Sequence, residues 1–214
     1  LIRDIQMIGL NYGIEYDRIM KKSKIMNGEI IYSNKIKEHI EDFYRIRYLM
    51  YKEVYNHSTV RSIEFMIKEL LENIDNYYRI KDIVSNNQWN DFILLNDSII
   101  DIMNHMKVNE NIYKLFSLIQ RIKTRNIYKP IGHIITDSHM NIPSHSDHII
   151  IDEFKITYYS SEPCKFYSEK NIINLMNHNQ HTTEYNMAIF YKHDIYRDEA
   201  QLIYDQIIGD VKKK

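Results

Sequence analysis

One arginine stands where an arginine is costly. Between Lys35 and Tyr55 the apolar residues Ile36, Ile40, Phe43, Met50 and Val54 recur at helical spacing. At roughly 100° per residue Arg47 falls about 20° from Ile36, in the middle of that stripe. A guanidinium buried there needs an anion beside it. Tyr51 and Tyr55 follow at i+4 and i+8, so one strip of helix offers Arg, Tyr, Tyr. Two kinds of chemistry answer that spacing. One is a phosphate held by the guanidinium with the tyrosines beside a sugar or base. The other is a buried ion pair with Asp or Glu from elsewhere in the chain.

A second cluster is His133, His139, His145 and His148, four imidazoles within sixteen residues. Such a set could bind zinc. No cysteine flanks it and its spacings match no strong metal signature, so histidines in surface loops are the expectation and no metal site is assigned. His193-Asp194 is expected to cap the last helix rather than hold a metal. Asn177 to His181 reads as a polar loop, and Trp89 as a packing residue rather than a base-stacking platform. The single cysteine, Cys164, excludes an internal disulfide framework and fits a reducing compartment.

The elements that must position these residues follow from periodicity. Leu1 to Ile8 reads as a helix stopped by Gly9, with a short helix at Tyr16 to Lys22 after it. Asn27-Gly28 between two short apolar runs, Lys24 to Met26 and Glu29 to Tyr32, predicts a hairpin. A long helix runs from Lys35 to about Tyr55. The next, capped at His57-Ser58-Thr59, carries the stripe Val60, Ile63, Met66, Ile67, Leu70, Leu71 and Ile74. Further helices are expected at 97–106 and 110–123. After Arg125 the texture turns to strands at Tyr128–Thr136, Ile149–Tyr159 and Tyr185–Tyr191, a short helix near 171–177, and a final helix bearing Ala200, Ile203, Tyr204, Ile207 and Ile208. The fold class is therefore mainly α with a smaller α+β C-terminal lobe: a helical part over residues 1–124 and an α+β lobe over 125–214.

Composition narrows the function classes. The 214 residues are 44% apolar, enough for a core, and 28 basic side chains nearly balance 29 acidic ones. That balance gives no overall field to attract nucleic acid. No apolar run is long enough to span a bilayer and no signal-peptide pattern opens the chain, so an intracellular location, cytoplasm or nucleus, without a membrane partner is expected. Heavy use of Ile, Asn, Lys and Tyr implies AT-rich codons, which suits a large DNA virus acting inside a host cell or an AT-rich parasite.

Tyr44-Arg45-Ile46-Arg47, then Tyr55-Asn56-His57, then Ser62-Ile63-Glu64-Phe65-Met66-Ile67 resemble part of the HD-domain deoxynucleoside triphosphate triphosphohydrolases. The type matched is the one that also carries a sterile-alpha-motif domain, where the stretches read F-H-T-R, Y-Q-H-K and I-I-D-T-M-I. Upstream, Arg3-Asp4 with Gly9 resembles A-R-D-C-x-x-L-G, and Tyr16-Asp17-Arg18-Ile19 resembles D-Y-K-R-F. Downstream, Arg125-Asn126-Ile127-Tyr128-Lys129 with Gly132 resembles R-N-L-F-K-Y-V-G. The matched blocks stand in order across residues 1–132.

The resemblance implies the C-terminal part of an HD-domain hydrolase fold that turns a dNTP and water into a deoxynucleoside and triphosphate. It implies a divalent metal (Mg, Mn, Fe or Zn) whose ligands precede the first matched block. This chain alone is then expected to be inactive, with no catalytic residue of its own. Asp4 would accept from the sugar 3′-hydroxyl and Tyr55 would pack on the sugar. Arg47 would bind phosphate, Asn56 stands for a family Gln, and Tyr51 replaces a family His near the phosphates. Arg18, Lys35, His57, Arg125 and Lys129 match positions that contact a GTP or dNTP activator between subunits, which implies a homo-oligomer, dimer or tetramer. Ser33, Glu53 and Ser58 replace three cations of that set and should weaken the activator's hold. The alternative is a non-catalytic HD-family module for oligomerisation or for binding single-stranded nucleic acid.

Overall fold

A computed structural model describes residues 1–10, 12–96, 98, 110–136, 138, 142–158, 164–168, 172–174 and 183–211. The helix expected at 97–106 (Ser98 apart), His139, and the loop at 177–181 lie outside them. The N-terminal elements are α1 (Ile2–Met7), α2 (Tyr16–Lys21), β1 (Ser23–Met26) and β2 (Glu29–Ser33). Asn27 and Gly28 both take positive φ, 53° and 79°, as the two-residue hairpin turn requires. After a 3-10 turn at Asn34–Ile36 come α3 (Lys37–Leu49) and a π-helical turn, Met50–Tyr55. Then follow α4 (Ser58–Tyr78), α5 (Ile80–Ser85), α6 (Trp89–Phe92) and α7 (Glu110–Lys123). The rest is β3 (Lys129–Thr136), β4 (Ile149–Thr157), β5 (Lys165–Tyr167), β6 (Ile172–Asn174), β7 (Thr183–Tyr191) and, after a 3-10 turn at Asp194–Tyr196, α8 (Arg197–Val211). The architecture is mixed α plus β.

Two sheets organise it. One is the antiparallel trio β3-β7-β4, its order putting the last strand in the middle. One face, with Ile134, Met187, Ile189 and Tyr191, packs on Ala200, Ile203 and Ile207 of α8. Gly132 lets α8 approach: a Cβ there would stand 2.5 Å from the ring of Tyr204. The other sheet runs β1-β2-β5-β6. Its β2 and β5 pair in parallel, Ile31 to Ser33 against Lys165 to Tyr167, so this sheet joins residues from both sides of position 124. Phe166 of β5 is buried against Ile36 and Ile40 at the start of the long helix. Helix α4 buries Met66, Leu70 and Ile74 against Leu115, Leu118 and Ile119 of α7. Each such aliphatic side chain contributes about 1.5–3 kcal/mol when fully buried.

Four expectations need correcting. Ile172–Asn174 is a strand paired with β5, not part of a helix. Two adjacent β-branched residues with a partner strand beside them favour the extended form, and so short a helix gains little by itself. Trp89 is 61% exposed and touches Phe92 edge to face, since α6 is too short to bury it. His133 sits on β3, stacked on Phe154, rather than in a surface loop. His193 begins the 3-10 turn ahead of α8 without a side-chain cap bond, because Asp194 turns instead to Lys129.

Candidate functional site

The stripe arginine and its tyrosines come together with Asp4. Ile5 of α1 packs on Ile46 of α3 and Met50, which brings Asp4 over the π-helical turn. The Tyr55 hydroxyl donates to Asp4 Oδ2 at 2.6 Å. The Tyr51 ring meets the Tyr55 ring edge to face, centroids 5.1 Å apart. The Arg47 guanidinium lies over Tyr51, 5.6 Å from its centroid. Asp4, Tyr55, Tyr51 and Arg47 thus form one continuous path of contacts, and Tyr51 is exposed along it.

The widened turn sets this spacing. The Asn56 backbone N–H reaches back five residues to Tyr51 O at 3.1 Å, and the Asn56 side-chain amide donates to the same carbonyl at 2.8 Å. Such π turns shift the side chains on either side of them and recur at functional sites. Asn56 therefore closes the turn that carries Tyr51 and Tyr55.

Arg47 answers its burial within the chain. One N–H donates to Thr157 O at the end of β4, 2.9 Å away. A guanidinium has five such donors in a planar fork, so the contact leaves it able to meet an anion as well. The hydrogen bond to the Asp4 carboxylate favours the protonated phenol and pushes the Tyr55 pKa up to about 12. The same bond holds Asp4 below the usual carboxylate range. At neutral pH the pair offers a charged acceptor beside a neutral phenol.

The other predicted set is spread over the surface. Arg18 on α2 is exposed, pairs with Glu15 at 3.4 Å, and lines a cavity of about 440 Å³ with Lys21 and Lys22. Lys35 is exposed on the 3-10 turn before α3. His57 caps α4, its Nδ1 accepting from Thr59 N at 3.2 Å. Arg125 takes a left-handed φ of 61° after α7. Lys129 reaches Asp194 at 2.8 Å and borders a different cavity.

Two constellations escaped the sequence reading. Arg61 of α4 grips Asp152 of β4 with two bonds, Nε and Nη2 each 2.7 Å from a carboxylate oxygen, and Asp152 is only 7% exposed. Tyr48 donates to Glu184 at 2.5 Å and accepts from Lys52 at 2.8 Å, fastening α3 and its π turn to β7. The first had a legible sign, since Asp152 interrupts the apolar run Ile149 to Ile156. The second had only Tyr48 and Lys52 at i, i+4.

Among the described residues no group of three or more His, Cys, Asp or Glu side chains gathers to hold a metal. His145 bonds Pro143 O and His148 stacks on Tyr196. The described residues therefore do not fit a metal centre. No helix among them is long and apolar enough to cross a membrane.

The HD associated region family matches residues 14–201. The chain belongs to that family. It is 30% identical over 138 residues to the deoxynucleoside triphosphate triphosphohydrolase SAMHD1 homolog of Dictyostelium discoideum, a match covering 64% of this chain and 26% of that protein. It is also 30% identical over 142 residues to a putative HD domain-containing protein of Acanthamoeba polyphaga mimivirus, covering 58% of this chain and 31% of that one. The family match bears out the resemblance read from the motifs. The chain spans about a quarter to a third of the length of these two relatives.

Proposed function

We propose that this HD associated region is the substrate-holding part of a deoxynucleoside triphosphate triphosphohydrolase whose metal ligands lie outside the described residues. The continuous path Asp4–Tyr55–Tyr51–Arg47 carries the reading. The Asp4 carboxylate accepts from a sugar hydroxyl, and Tyr55, held by Asp4, presses on the sugar where a 2′-hydroxyl would need space. Arg47 takes a phosphate oxygen with donors other than the one on Thr157. Tyr51 lies between the two ends, a phenol ring where the resembled family has an imidazole, and supplies contact along the path. Asn56 keeps Tyr51 and Tyr55 in place.

The exposed side chains Arg18, Lys35, His57, Arg125 and Lys129 would serve an activating nucleotide between copies in a homo-oligomer. Lys129 must leave or share Asp194 to do so, which lowers its affinity for an anion. The Arg47–Thr157 contact favours a second reading, a non-catalytic module in which Arg47 ties helix to strand and meets no ligand. Binding separates the two. By calorimetry on the intact gene product, dATP should bind more tightly than ATP, and Arg47→Ala should weaken dATP about tenfold or more, the cost of one charge-assisted contact. Equal binding of dATP by wild type and Arg47→Ala would support the module instead.

A further inference from the structure

The cavity beside Lys129 holds chemistry that the cation set does not use. Arg121 from α7, Lys129 from β3, and Lys192, His193 and Asp194 after β7 line a space of about 190 Å³. We infer that this cavity binds an oxyanion of the phosphate class with uptake of one proton by His193. The inference rests on Lys129 being an anion ligand, as proposed above, and adds pH control to that site.

Arg121 is fixed by backbone: its Nε donates to Asn126 O at 3.1 Å and its Nη2 to Lys192 O at 2.8 Å. Its charge therefore faces the cavity from a set position. Lys129 is paired with Asp194, and Lys192 with Glu69 of α4 at 2.7 Å. Three cations against two carboxylates leave one positive charge. A proton on His193 makes it two. His148 approaches His193 edge to face at 6.2 Å and is itself stacked on Tyr196 at 4.1 Å. The Lys192 N–H donates to His148 O at 2.9 Å, which keeps the two histidine-bearing segments together. Arg197 of α8 acts on Lys129 and Asp194 from the rim.

Without an anion His193 is kept neutral. Burial lowers its pKa below the ordinary imidazole range, and Arg121 and His148 lower it further. An anion placed among these charges reverses the cationic part of that effect. By linkage, whatever raises the proton affinity of His193 binds more tightly as pH falls.

Sulfate is the probe, because its own charge stays constant across the imidazole range whereas phosphate titrates there. NMR of the intact protein would follow the His193 ring proton against pH with and without sulfate. Saturating sulfate should raise the His193 pKa by roughly 0.7 unit, so sulfate binding should tighten as pH falls from about 8, approaching about fivefold once pH is well below the anion-free pKa of His193. His193→Gln should abolish that pH dependence. Asp194→Asn, which frees Lys129, should tighten binding at every pH and keep the dependence. An unmoved His193 titration at saturating sulfate would overturn the proton link while leaving the anion site standing. No sulfate binding by wild type or Asp194→Asn would overturn both. Either result is independent of whether the protein releases triphosphate from a dNTP.

Discussion

The seam between α4 and the three-stranded sheet and the face along α1, α3 and the π turn both carry charged and aromatic side chains, yet they are built in opposite ways. In the seam, groups are satisfied inward. Arg61 clamps Asp152, Ser62 Oγ donates to Tyr128 O at 2.8 Å, and Glu69 accepts from both Tyr128 and Lys192. Phe65 and Phe190 pack among them with ring centroids 5.6 Å apart. On the face, Asp4, Tyr55, Tyr51 and Arg47 touch one another in sequence and remain open to one side. A buried polar network must be complete to be tolerated, whereas a binding face keeps donors and acceptors available. The contrast separates charges that hold the fold from charges set out to meet a ligand.

Several measurements sharpen or break that contrast. The largest effect belongs to Asp152→Ala, which takes away the partner that Arg61 grips with two bonds and leaves it Glu64 alone. Urea unfolding should show a loss of about 2–3 kcal/mol, and a loss under about 1 kcal/mol would remove the seam's structural role. Gly132→Ala comes next, at about 1–3 kcal/mol, because the new methyl meets the Tyr204 ring. The seam should also weaken in acid. Burial lowers the His133 pKa, so the unfolded chain takes up its proton first. Stability from this group is intact above about pH 6.5 and falls as pH drops toward the folded value; His133→Gln should flatten that part of the stability profile.

On the face, effects on stability are smaller and those on titration clearer. The phenol of Tyr55, raised by Asp4, contributes stability below its unfolded pKa near 10 that is lost as pH rises through about 12. A difference spectrum between wild type and Tyr55→Phe should show one tyrosine ionising near pH 12, and one ionising near 10 would mean that the Asp4 bond does not persist in solution. For Asp4 the sign is opposite: its contribution is present above the ordinary carboxylate pKa and lost as pH falls through the depressed folded value. The smallest stability change belongs to Arg47→Ala, under about 1 kcal/mol, since one exposed-side bond to Thr157 O is removed. A loss matching that of Asp152→Ala would place Arg47 among the structural charges.

Local signals were legible where local physics decides. The Asn27-Gly28 turn, the α4 stripe through Met66, Leu70 and Ile74, and strands β3, β4 and β7 were all readable from spacing. Val60 and Leu71, at the margins of that stripe, are partly exposed. Strands β5 and β6 were not readable, since three residues carry no period and the partner of β5 lies far upstream in β2. Arg47 was visible as an anomaly. Which anion or carbonyl it meets depends on Thr157, more than a hundred residues away, and spacing cannot supply that. The resemblance alone set Asp4 and Tyr55 at the same sugar; the hydrogen bond between them was not legible in the sequence.

The central claim is that the open face holds a deoxynucleotide for hydrolysis at its α-phosphate. The most direct test assays the intact gene product with divalent metal and a dNTP mixture, with and without GTP, for deoxynucleoside and inorganic triphosphate. Wild type should release both, and Arg47→Ala, equally well folded, should lose about a hundredfold in rate, or about 2.7 kcal/mol of transition-state stabilisation. No triphosphate from a folded, metal-loaded protein, or an Arg47→Ala variant as active as wild type, would contradict the account.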